Sequence, residues 1–121
     1  MTIPDFKRDL LQFRKDYSNS INYHLSSPTR VQSIINHNIA FLKSIKFKGK
    51  LKLKIEESIN YLQMAYAQSE NFSKGLRSDL SRTDDLAAIH IDEHETIWSI
   101  QVIGTAEAAI DNIVRFLDNG S

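Results

Sequence analysis

Phe6, Leu10, Phe13, Tyr17 and Ile21 recur at steps of three and four, the spacing that gathers apolar side chains on one side of a helix. The pattern predicts a helix over 3–24. Thr2 followed by Asp5 resembles a capping box, and Pro4 suits a first turn. A second helix is expected after Ser27, a capping residue, with Pro28 at its first position. Its stripe is Val31, Ile34, Ile35, Asn38, Phe41, Leu42 and Ile45. The short break between the two implies a helical hairpin.

From 45 to 55 the period changes. Every odd position is Ile, Phe, Gly, Leu, Leu or Ile, and every even position is Lys. A strand puts Lys46, Lys48, Lys50, Lys52 and Lys54 on one face and the apolar residues on the other. A helix would turn Lys48 and Lys54 inward and expose Leu53. The strand is therefore the expected element. The competing reading is a helix–helix turn at Lys48 and Gly49, which places cations at a helix N-terminus, against the dipole.

A long helix is expected over 56–80, with Glu56 and Glu57 at its acidic start and a stripe of Ile59, Leu62, Tyr66, Ser69, Ser73, Leu76 and Leu80. Segments 88–92 and 96–103 are rich in β-branched and aromatic residues, and the charged loop 92–95 would join them as a β-hairpin. In that hairpin Ile89, Ile91, Trp98, Ile100 and Val102 share a face. Against it, Asp92 and Glu95 also fit a capping box, and 98–117 makes a helical stripe. Residues 105–118 are helical under either reading, capped by Thr105 and stopped at Asn119 and Gly120. The expected fold is a single helix-rich α+β domain over 1–121: an N-terminal helical hairpin, then strand, helix, β-hairpin and helix around a small sheet. The alternative is an all-α four-helix bundle.

Composition adds boundaries rather than a function. The 121 residues are 41% hydrophobic and 25% charged, which suits one globular domain with a real core. Residues 1–14 lack the apolar run of a signal peptide. The absence of cysteine removes disulfide frameworks and thiolate chemistry, and fits a reducing, cytoplasmic setting. The formal net charge of zero hides a split. Residues 1–54 hold 11 Lys and Arg against 3 acids, and the remainder holds 4 against 12. Either the halves neutralise each other within the fold, or a basic surface faces an acidic partner.

Candidate chemistry is sparse. His90, Glu93 and His94 spell the H-x-x-E-H pattern of inverted zinc peptidases, with Glu107 and Asp111 among the few helical acids that follow as a third ligand. The Glu-x-x-His pairs of di-iron bundles are absent, since Ile21, Ile34, Ala87 and Ile91 precede the four histidines. Arg30 with His37 loosely resembles the arginine–histidine pair of the HEPN ribonucleases, although Val31 stands where that family usually has a polar residue. No glycine-rich phosphate loop or nucleophile elbow occurs. No catalytic residue, metal ligand or cofactor is therefore assigned.

The row Lys46, Lys48, Lys50, Lys52 and Lys54, with Lys43 before it, is the candidate binding face. Phosphates could meet it, yet single-strand readers also stack bases on same-face aromatics, and Phe47 falls on the opposite face of the strand. Arginine, the bidentate phosphate ligand, is missing from the row. Phe6, Phe13, Tyr17 and Tyr23 supply either core or a homo-oligomer contact. The expectation is a small soluble, non-catalytic regulatory protein that binds another protein, as an inhibitor or immunity-type factor, and forms a homo-oligomer. It is expected to make no membrane contact. Nucleic-acid binding is the first alternative, and a metal-dependent helical enzyme the second.

Overall fold

The computed structural model describes residues 1–20, 28–80 and 98–119, with side chains among them except at 28, 72–80 and 99. Four α-helices carry the described fold: α1 (Ile3–Asn19), α2 (Pro28–Ser44), α3 (Gly49–Leu80) and α4 (Gly104–Asp118). A π-helical turn, Trp98–Ile103, leads into α4. No strand occurs among the described residues. The α+β expectation is thereby corrected to the all-α alternative, a four-helix bundle.

α1 begins as its sequence dictates. The Asp5 amide donates to Thr2 Oγ1 at 3.2 Å, and Pro4 sits in the first turn. The Thr2 hydroxyl also holds the Asp5 carboxyl below the usual carboxylate range, with the Arg8 charge acting the same way. The helix stops earlier than 24. The Ser20 amide turns back to the Tyr17 carbonyl, and its hydroxyl donates to the Asp16 carbonyl. Ile21 and the Ser27 cap lie outside the described residues.

Neighbouring helices run antiparallel. Phe6 meets Phe41 and Phe47 with ring centroids 6.2 and 5.1 Å away, and Phe13 meets Phe41 edge-on at 5.1 Å. These rings fill the space between α1 and α2, the neighbouring pair whose backbones approach least. α4 packs against both α1 and α3, and α2 packs against α3. One core results, built from Phe6, Leu10 and Tyr17 of α1, Val31, Ile35 and Leu42 of α2, Ile55 and Leu62 of α3, and Ala106, Ile110 and Ile113 of α4. Phe6, Phe13 and Tyr17 are thus consumed by the chain's own packing. Tyr23, the fourth aromatic considered for a homo-oligomer contact, lies outside the described residues.

Two strands are corrected. Residues 45–48 form a short connector, and Gly49 opens α3 with φ +70°, a left-handed conformation that favours glycine. The lysine segment therefore bends and becomes helix. Alternation at period two had required Leu53 to point inward, yet Leu53 is 63% exposed while Ile55 is buried. Within Trp98–Ile103 the strand reading requires Trp98, Ile100 and Val102 to share a face. Instead Trp98, Val102 and Ile103 are buried and Ile100 is 65% exposed, the i, i+4, i+5 spacing of a helical turn. That turn continues directly into α4, so Ile103 occupies the N-cap position and no side chain caps the helix. Thr105 is not the cap. The rest of the hairpin, 86–97, lies outside the described residues.

Candidate functional site: a basic cavity at the α2–α3 turn

The charges sort into two populations. Along the α1–α4 seam, bases and acids meet in an antiparallel ladder: Lys7 pairs with Asp118, Arg14 with Asp111 at 2.6 Å, and the Ser18 hydroxyl donates to Glu107 at 3.0 Å. Arg115 joins Asp111 from within α4 at 3.2 Å. Lys7 and Arg14 of the basic N-terminal helix are neutralised here, inside the fold.

The lysines of the α2–α3 turn are different. Lys43, Lys46, Lys48, Lys50 and Lys52 are exposed, and the described ion pairs include none of them. Only Lys54, half-buried, meets an acid, Glu57 at 3.9 Å. The lysines do not form one flat row. Lys46 and Lys48 leave the connector, and Lys50 and Lys52 leave the first turn of α3. Alternate residues on a helix diverge by roughly 200°, so Lys50, Lys52 and Lys54 cannot share a face.

Four of these lysines line an open cavity of about 430 Å³. Leu42, Ile45, Phe47, Ile55 and Ile59 form its apolar walls, and Lys43, Lys46, Lys48, Lys52 and Glu56 border it. The geometry follows from the turn. Four residues connect the end of α2 to the start of α3, and among them Phe47 packs tilted against Phe6 with ring centroids 5.1 Å apart. A smaller hollow of about 310 Å³ is lined by Met1, Phe41 and Ser44 together with the same Ile45, Lys46 and Phe47.

Of the five lysines assigned from sequence, Lys46, Lys48 and Lys52 border the cavity, whereas Lys50 and Lys54 stand outside it. The apolar walls and Glu56 were missed as site residues. Reading Gly49 as a turn would have found them, because that turn folds Phe47 and Ile55 onto the same hollow. Arg30 and His37 are both exposed on α2, and His37 packs on the edge of Phe13 at 6.2 Å. His90, Glu93 and His94 lie outside the described residues. Among the described residues no group of three His, Asp or Glu side chains is placed to hold a metal ion, and no helix is long and apolar enough to cross a membrane.

Comparison with known proteins gives no family: no family model, curated protein or solved structure matches the chain.

Proposed function

We propose that the protein is a non-catalytic interaction module that docks an acidic protein partner through the lysine-bearing end of its helical bundle. The observation that carries this reading is the contrast between the two charge populations. Lys7 and Arg14 of α1 meet Asp118 and Asp111 of α4, while Lys43, Lys46, Lys48 and Lys52 at the turn are left without such partners around a hollow with an apolar lining. Four or more like charges gathered at one place repel each other, and Lys50 and Lys52 also oppose the α3 dipole. A feature that costs stability locally points to a use outside the fold.

A protein suits this surface better than a nucleic acid. Base stacking needs exposed rings, and the one aromatic at the cavity, Phe47, is engaged with Phe6. Lysine without arginine offers point charges rather than planar forks for phosphate. A cysteine-free interaction protein of this kind fits the cytoplasm, as a regulatory or inhibitory factor.

The test is capture from nuclease-treated extract of the source cells, using the wild-type chain and a Lys48→Gln, Lys50→Gln, Lys52→Gln variant. The expected result is an acidic protein retained by the wild type, lost by the variant, and shown to form a binary complex when purified. Retention that disappears with nuclease treatment, or is equal for both chains, overturns the reading.

A further inference from the structure

The hollow at the α2–α3 turn combines two features that a merely solvated lysine cluster does not need. Its lining brings the half-buried apolar side chains of Ile45, Phe47 and Ile59 together with exposed lysines. Apolar surface left open at a concave site is a binding feature, because covering it releases hydration water. Resting on the protein-docking reading above, we propose that this cavity is the anchor site for an acidic segment of the partner. One apolar side chain of an Asp- and Glu-rich peptide enters between Phe47, Ile55 and Ile59, and carboxylates on either side of it meet Lys46, Lys48 and Lys52.

Charge and volume both select this occupant. The cavity of about 430 Å³ accommodates a large aliphatic or aromatic side chain together with the backbone that carries it. The lysines share the lining with the apolar side chains, and their long stems let the ammonium groups reach carboxylates on residues flanking the anchor. Glu56 borders the same cavity. A carboxylate there accepts a hydrogen bond from a peptide N–H, a donor that a phosphodiester lacks. Lysine ammonium groups on flexible stems also tolerate carboxylates at varied positions better than a planar guanidinium does.

Selection of displayed random peptides against the full-length chain tests the proposal. The enriched sequences are expected to be acidic and to hold one apolar residue at a constant position. Replacing that residue by alanine in the synthetic peptide weakens binding on the order of 30-fold, the scale of losing one buried large side chain. Lys46→Gln, Lys48→Gln, Lys52→Gln together weaken it about tenfold, as three exposed charge contacts would. Titrating the peptide into isotopically labelled wild-type protein should shift the amides of Phe47, Ile55 and Ile59 first, a readout that needs no variant to fold. Neutral or basic enriched peptides, shifts confined to another surface, or an anchor insensitive to alanine overturn the proposal. So does preferential binding of a single-stranded oligonucleotide or of vesicles rich in phosphatidylserine. If the captured partner still depends on the lysines while the anchor experiments fail, only this inference falls. If neither dependence appears, the docking function falls with it.

Discussion

Tyr17 shows how one residue ties sequence pattern to fold stability. Its position in the α1 stripe buries the ring, and its hydroxyl donates to Asn38 Oδ1 on α2 at 2.7 Å. Burial, aided by the neighbouring Asp16 carboxylate, pushes the phenol well above its usual range. The folded state therefore keeps its proton at pH values where the unfolded chain releases it, near about 10. The contribution is complete below that value and declines as pH rises beyond it. Urea unfolding between pH 7 and 11 should show a fall in wild-type stability above pH 10 that is shallower in Tyr17→Phe. At pH 7 the variant should be about 1–2 kcal/mol less stable, since Asn38 Oδ1 is left buried without its donor. Parallel stability curves for the two proteins would contradict the assignment.

At the scale of the element, α3 shows packing outweighing local electrostatics. Its first turn contains no acid, and Lys50 and Lys52 each oppose the helix dipole by a few tenths of a kcal/mol. Burying Ile55 alone is worth about 1.5–3 kcal/mol, and Leu51 and Ile59 pack beside it on the core. The helix therefore starts at Gly49 despite its cations. Lys50→Glu with Lys52→Glu should raise Tm by about 2–5 °C, by reversing the unfavourable dipole term, and should simultaneously weaken partner binding. Thermal unfolding followed by circular dichroism measures the first effect. A lowered Tm would mean that the lysines support the fold, and would remove their apparent cost as a pointer to function.

On the scale of the whole molecule, the opposed halves of the sequence are reconciled only in part. The α1–α4 ladder pairs Lys7 and Arg14 of the first helix, and the α2–α3 turn is left strongly positive. Asp111 is the hinge of that ladder, because it meets both Arg14 and Arg115. Asp111→Asn keeps the shape and removes the charge. It should cost about 0.5–1 kcal/mol at low salt, as befits partly exposed pairs, and much less in 1 M NaCl, where the Debye length is about 3 Å. A loss unchanged by salt would identify a packing role instead.

Much of the helical framework is legible without coordinates. The α1 and α2 stripes, the Thr2–Asp5 start and the inner face of α4, from Ala106 to Val114, follow from spacing alone, because each helix must bury one side. The lysine segment and Trp98–Ile103 are not legible in the same way. A short run of β-branched or alternating residues fits a strand as well as a helix when only its own period is considered. The choice belongs to its neighbours: a strand needs partner strands, whereas α2 and α4 offer Ile55 and Trp98 a helical core to enter. The lysines could be counted in sequence, and their concentration near residue 50 marked the candidate surface. Their convergence with Phe47, Ile55, Ile59 and Glu56 on one cavity depends on a single positive φ at Gly49. Local pattern determines which faces must be buried, and tertiary packing decides which elements bury them and what hollow is left between.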